Sequence, residues 1–178
     1  LRQLTLAEIE ELRGQPTRRV FDALGVPLWR VPEIAAHVSR RFEERARDIQ
    51  LFAGAPEMLA ALADAGAVIG VVSSNSEDTV RAVMGPANMH HIASVECGAA
   101  LFGKSRRFVR VMREVGAARE RTIAVGDESR DLDAAAKAGI LGLGVEWGYA
   151  SPSVLREMAP GRTFPTVAAL TAYLIDRA

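Results

Sequence analysis

The stretch TIAVGDESRDLDAAAKAG, residues 122–139, decides how this chain is to be read. Its apolar run Ile123 to Val125 breaks at Gly126, and four carboxylates follow within seven residues: Asp127, Glu128, Asp131 and Asp133. A short apolar run that gives way to an Ala-rich segment stopping at Gly139 reads as a strand turning directly into a helix. Acids at a helix start are favoured by the helix dipole, so Glu128 and Asp133 need no further reason. Asp127 stands apart, because it follows the strand and its glycine directly. It lies at the tip where hard oxygen ligands for a divalent cation are placed. Asp131, four residues on, falls on or near the first helical turn.

Outward from this stretch the same alternation repeats. GAPEMLAALADAG reads as a helix with Pro56 in its first turn and Gly66 as its stop. AVIGVV then has the pattern of a strand buried on both faces. SEDTVRAVMG reads as a helix ended by Gly85-Pro86, HIASVE as a strand, and KSRRFVRVMREVG as a helix with Phe108, Val111, Met112 and Val115 inward. ILGLGVE is the next strand, and two helices close the chain. Strands alternating with helices of this length predict a parallel α/β sheet covered on both sides, over residues 51–178.

Residues 1–50 differ in character and read as all helix. TLAEIEEL is a capping box, with Thr5 capping and Glu8 three residues later. PTRRVFDALG starts at Pro16 and stops at Gly25. A longer helix carries Ile34, Val38 and Phe42 as one apolar stripe, with His37 beside it read as a partly buried structural residue. Arg40, Arg41, Arg45 and Arg47 alternate with Glu43, Glu44 and Asp48, the pattern of a solvated face.

Composition narrows the class. At 178 residues, 49% hydrophobic and 25% charged, the chain is expected to form one domain or one domain with a small accessory. Its formal net charge is zero, so no global field recruits nucleic acid or an anionic membrane. No apolar run has the length of a membrane span. The one cysteine, Cys97, has no internal partner, which fits a reducing cytoplasm, and it reads as a core or loop residue. A monomer or a homodimer fits equally well.

In a parallel α/β sheet ligands sit beyond the carboxyl ends of the strands. Two loops besides the opening one carry polar groups there. Ser73-Ser74-Asn75-Ser76 follows AVIGVV and leads into a helix, which is either plain N-capping or a seat for a phosphate. Lys104 follows Gly103 at a helix start, where the dipole disfavours a cation. It is either a surface lysine or one held for an anionic ligand.

Taken in order, VVSSNS, FGKS and VGDESRD, with the later VEWGY, resemble the second, third and fourth motifs of the haloacid dehalogenase-like (HAD) hydrolase superfamily. The helical residues 1–50 resemble the helical cap of its phosphoglycolate phosphatase-like and β-phosphoglucomutase-like branch. The resemblance implies a Rossmann-like core, a Mg²⁺ cofactor and a small phosphorylated metabolite as substrate. It implies that Ser73 binds the transferring phosphoryl group, with the backbone of Ser74 and Asn75 nearby. Lys104 would neutralise charge there, Asp127 would ligate Mg²⁺, and Asp131 would hold a water ligand or orient Lys104. Arg13, in LRGQPTRR, is the cap residue expected to read the leaving group, with Arg18 and Arg19 at the surface. Trp147 and Tyr149 either line the entrance or, for the tryptophan, belong to the core. The branch's reactions rank as phosphatase first, a non-catalytic binding module second and a phosphomutase third; dehalogenation would leave the acidic loop without a task.

One departure is plain. The family's first strand ends in Asp-x-Asp-Gly-Thr, which supplies the nucleophile, and these 178 residues contain no such sequence. The resemblance places that strand between the one ending at Ser73 and the one ending at Asp127. Its absence would leave a gap about 10 Å wide, twice the usual strand spacing, with unpaired backbone groups on both sides. The chain opens on Leu1, and the expectation is that a segment carrying the nucleophile precedes it.

Overall fold

The computed structural model describes residues 3–13, 15, 17–98 and 103–178. Three helices come first, α1 (Leu6–Leu12), α2 (Thr17–Ala23) and α3 (Val31–Arg45). The α/β part follows as α4 (Ala55–Asp64), β1 (Ile69–Val72), α5 (Glu77–Met89), β2 (Ile92–Glu96) and α6 (Lys104–Glu114). It continues with β3 (Ile123–Gly126), α7 (Ser129–Ala138), β4 (Leu141–Val145), α8 (Pro152–Met158), β5 (Thr163–Phe164) and α9 (Val167–Ile175). Among the described residues no helix is long and apolar enough to cross a membrane.

All strand pairs are parallel, as the alternation predicts, but they form two sheets: β1 with β2, and β3-β4-β5. Among the described residues no ladder joins β1 to β3, so each presents one unpaired edge. The break falls where the sequence reading places the absent strand. It also corrects the reading of AVIGVV as buried on both faces. Val68, just before β1, is 64% exposed, Ile69, Val71 and Val72 are only half-buried, and Val125, on β3, is 44% exposed. The interior strand β4 carries the buried pattern instead, with Leu143 and Val145 enclosed.

The core is built around that strand. Leu143, Val145 and Leu170 of α9 pack with Met58, Trp147, Phe164 and Tyr173, the last two rings 4.9 Å apart. Met112 of α6 packs with Ala135 and Ala138 of α7 and with Ile140, and Phe108 and Ala124 lie beside them. Leu132, Ala150, Leu155 and Ala159 join α7 to α8. Small alanines on α7 let that helix lie close on the strands. Trp147 is therefore a core-side residue, while Tyr149 is exposed.

Local signals held at most boundaries. Thr5 and Glu8 form the expected capping box of α1, and Gly139 ends α7 in the left-handed conformation. Gly85, at φ 70 and ψ 163, breaks α5 as expected, but Pro86 starts a further turn that runs on to Met89. The strand β5 is an addition, too short at two residues for periodicity to reveal. The expected helix start at Pro16 lies outside the described residues, as do Gly14 and Phe102 of the quoted motifs. Helix α3 meets α5 along a short contact only. Its stripe consequently stays open at Val38 and Phe42, and His37 is exposed rather than partly buried.

This distribution of burial gives a test. Leu143→Ala removes a fully enclosed side chain and is expected to cost about 3 kcal/mol. Val125→Ala, with the side chain half in solvent, is expected to cost under about 1 kcal/mol. Urea denaturation of both variants measures the difference, and equal losses would contradict the asymmetry.

Candidate functional site

Three loops at the carboxyl ends of β1 and β3 and at the start of α6 come together through side-chain contacts. The first loop extends β1. The Ser73 N–H donates to the Glu96 carbonyl at 3.0 Å, continuing the ladder with β2. The Ser73 Oγ accepts from the Asn75 N–H at 3.1 Å, and the Asn75 carbonyl accepts from the Gly98 N–H at 3.1 Å. Ser76, not Ser74, caps α5 by accepting from the Thr79 N–H at 3.3 Å. The capping role is thus taken by one serine, and the Ser73 hydroxyl hydrogen is left to donate outward. Ser74 lies between them, half-buried, on the same turn.

Helix α6 ties this loop to the next. Lys104 is its first residue, and its Nζ donates to Asp131 Oδ1 at 2.6 Å. One turn later Arg107 donates from Nη1 to the Ser73 carbonyl at 2.9 Å. A single helix therefore fastens both the α7 start and the β1 tip. The Lys104–Asp131 pair is unequally exposed, with Asp131 5% exposed and Lys104 reaching partly to solvent. A carboxylate so buried requires a partner, and the lysine supplies it.

The third loop is held by the need for two missing side chains. A Cβ on Gly126 would lie 2.5 Å from Asp131 Oδ2 and closer still to its Cβ. A Cβ on Gly148 would lie 2.5 Å from Asp127 Oδ2. Both carboxylates thus lie flat over bare backbone. The Asp131 Oδ2 accepts from the Glu128 N–H at 3.3 Å, so both its oxygens are engaged. Asp127 is held at one oxygen only: Oδ2 accepts from the Tyr149 N–H at 2.8 Å, and its carbonyl accepts from the Ala150 N–H at 2.9 Å. Its Oδ1 has no hydrogen-bond partner among the described residues. Glu128 pairs with Arg130, and Asp133 is exposed on α7, as ordinary helix-start acids would be.

Arg130 is the nearest extra cation. Burial works against its charge, but the hydrogen bond and charge of Glu128, with Asp131 and Asp127 close by, outweigh burial and hold its pKa above the ordinary value. Its Nε is buried without a hydrogen-bond partner. Arg13 reaches the site from the end of α1. Its Nη2 donates to the Gly148 carbonyl at 3.2 Å, and its guanidinium lies 6.0 Å from the Tyr149 ring centroid. Glu10 shares its charge at 3.2 Å, whereas Arg18 and Arg19 are both exposed.

The donor set decides what cation could be held. Mg²⁺ commonly takes one or two carboxylates and completes its shell with water and substrate phosphate. Asp127 Oδ1 fits one such position. Among the described residues no three His, Cys, Asp or Glu side chains gather into a metal-sized group, so the protein's share here is small.

The sequence profile of the haloacid dehalogenase-like hydrolases matches residues 1–145. The chain belongs to the haloacid dehalogenase-like hydrolase family. This member is 27% identical over 140 residues to the phosphoglycolate phosphatase of Synechococcus elongatus, covering 78% of this chain and 66% of that protein. Its fold matches a haloacid dehalogenase-like hydrolase of Streptococcus pneumoniae with a TM-score of 0.73, over 97% of this chain and 83% of that one, at 18% identity. A predicted phosphoglycolate phosphatase from Haemophilus somnus matches with a TM-score of 0.59 over 69% and 56% of the two chains, at 22% identity. The chain thus spans just under two thirds of the Synechococcus relative and little more than half of the Haemophilus one.

Within this family member the structure brings Lys104 to Asp131, Arg13 to the segment beside Asp127, and Arg107 to Ser73. Arg107 escaped the sequence reading. The available signal was its place one turn after Lys104, on the same side of α6. The pair at the centre gives the next test. Lys104→Met and Asp131→Asn, alone and together, should show a coupling of about 1–3 kcal/mol in a double-mutant cycle by denaturation. Additive losses would mean that the two side chains do not hold each other.

Proposed function

We propose that this chain carries the metal- and phosphate-holding part of a Mg²⁺-dependent phosphatase acting on a small phosphorylated metabolite of the phosphoglycolate class. The observation that supports it most is one juxtaposition. A buried acid, Asp131, holds Lys104 at 2.6 Å, four residues from an acid, Asp127, that keeps one oxygen free. Phosphoryl transfer asks for positioning and charge neutralisation at the carboxyl edge of such a sheet, and these residues are of the right types.

In this reading the Ser73 hydroxyl donates to a phosphoryl oxygen, with the Ser74 and Asn75 backbone beside it. Lys104 neutralises charge between that group and the attacking oxygen. Asp127 would hold Mg²⁺, which when bound supplies further positive charge to the phosphoryl oxygens. Asp131 serves by orienting Lys104, since both its oxygens are occupied. The reading requires an aspartate nucleophile on a strand beyond these 178 residues. Its carboxylate oxygen would bond to phosphorus as the ester P–O bond breaks, and the leaving oxygen would take its proton from the second aspartate of the same Asp-x-Asp, which would recover one from the attacking water. Water then attacks the aspartyl-phosphate, releasing phosphate and restoring the carboxylate. Residues 1–50 act as a cap in this scheme, and Arg13 presents a cation to a leaving group that bears a carboxylate.

A second reading, a non-catalytic binding module, rests on the lack of an Asp-x-Asp-Gly-Thr sequence within these 178 residues. One assay separates the two. Phosphate release from 2-phosphoglycolate, measured on the protein isolated from its source, should require Mg²⁺ and stop with EDTA. Asp127→Asn should lower kcat by about 100-fold or more, the scale of losing a principal electrostatic stabiliser. Turnover indifferent to EDTA and to Asp127→Asn would sink the metal assignment. Absence of both turnover and Mg²⁺ binding would leave the binding module.

A further inference from the structure

Helix α6 has a second charged face that the reading above does not use. Arg106, Arg110 and Arg113 recur at i, i+4 and i+7, which sets them along one stripe. Lys137 of α7 stands opposite. Between them opens a groove of about 340 Å³, lined by these four residues with Ser105 and Val109. Among the described residues no carboxylate lines it. Glu96 reaches Arg110 at 3.2 Å and offsets that one charge. Arg106, Arg113 and Lys137 have no ion-pair partner among the described residues. Asp133, one turn before Lys137 on α7, is exposed and makes no ion pair with it.

Such a face is unfavourable for the helix that carries it. The first turn of α6 holds no acid and instead bears Lys104, Arg106 and Arg107 at the positive end of the helix dipole. Like charges one turn apart along Arg106, Arg110 and Arg113 add repulsion of a few tenths of a kcal/mol each. Lys104 and Arg107 are answered by Asp131 and the Ser73 carbonyl. Among the described residues the outward stripe has a carboxylate partner only at Arg110, and Arg113 meets just the negative end of the helix dipole.

We propose that this groove is a binding site for a small polyanion carrying two or more linked phosphoryl groups. Three features support that ligand class. The unpaired cations Arg106 and Arg113 lie about 10 Å apart along the helix axis, a span that a run of linked phosphates can bridge. Guanidinium groups present paired donors suited to phosphate oxygens, and the lysine adds a point charge from the other wall. The volume suits a small ligand rather than a long chain, since it sits at the low end of ligand pockets. The groove is separate from the candidate phosphatase site, because neither Lys104 nor Arg107 lines it.

Titration calorimetry with inorganic tripolyphosphate, at low salt and with EDTA present, tests the proposal. One ligand per chain is expected. Arg106→Ser combined with Arg113→Ser should weaken binding about tenfold or more, the equivalent of about 1.4 kcal/mol. Lys104→Met should leave the affinity within about twofold. Both arginines are at or near the surface, and the unaltered melting temperature of the double variant without ligand checks its folding. In the wild type the anion should raise the melting temperature, and the double variant should lose that rise. Four results overturn the site: no binding by the wild type, unchanged binding by the double variant, loss of binding in Lys104→Met, or preference for a single-stranded oligonucleotide over tripolyphosphate. The third would place the anion in the candidate phosphatase site, and the test needs no turnover, so it stands apart from the assay above.

Discussion

The ion pair between Lys104 and Asp131 is the constraint around which this end of the molecule is arranged. A carboxylate buried on the first turn of α7 cannot remain uncompensated, and its partner comes from the first turn of another helix. That requirement fixes where α6 begins. It also explains Gly126, since Asp131 lies against the backbone where any side chain would collide with it. Once α6 is anchored at Lys104, Arg107 falls one turn along and takes the Ser73 carbonyl. The Ser73–Ser76 loop, the lysine and the acidic loop thereby become one assembly instead of three local turns.

Asp127 belongs to a different kind of order. Its carboxylate is held by backbone, through the Tyr149 N–H, and its shape is accommodated by Gly148. The same short segment meets Arg13 through the Gly148 carbonyl and the Tyr149 ring. WGY is thus the piece that relates the acidic loop to the N-terminal helices. Its tryptophan turns inward to the α9 side of the sheet, and its tyrosine turns out beside Arg13. The paired placement of an anchored acid and an arginine at its rim is why the phosphatase reading extends to a carboxylate-bearing leaving group.

The division of the strands into two sheets has a local logic. Each of β1 and β3 finds one parallel partner, and the helices α6 and α7 span the break by packing on each other and by the ion pair. Apolar burial concentrates on β4, which among the described residues is the strand with neighbours on both sides. Helix α6 consequently has two charged faces, with Lys104 met by Asp131 and Arg107 by the Ser73 carbonyl, while Arg106 and Arg113 stand open over a groove. The inner face is explained by the fold. The proposed anion site would account for the outer face.

Most elements were legible in the sequence because their signals are local. Gly139 after an alanine-rich run, Thr5 with Glu8, and Gly-Asp at a strand tip each state a backbone conformation within a few residues. The alternation of strands and helices was enough to anticipate a parallel α/β fold, and the order of VVSSNS, FGKS and VGDESRD to anticipate the family. The sequence by itself determined the order of the elements from α4 to β4, the family and the residues of the acidic loop. Tertiary structure alone decided which acid is paired and which is free, since Asp127 and Asp131 differ in burial and neighbours and not in chemistry. It likewise decided that Arg107 meets Ser73, that Trp147 turns inward, and that the stripe of α3 stays exposed. Each of those outcomes depends on contacts between residues far apart in the chain, which no pattern along one segment encodes.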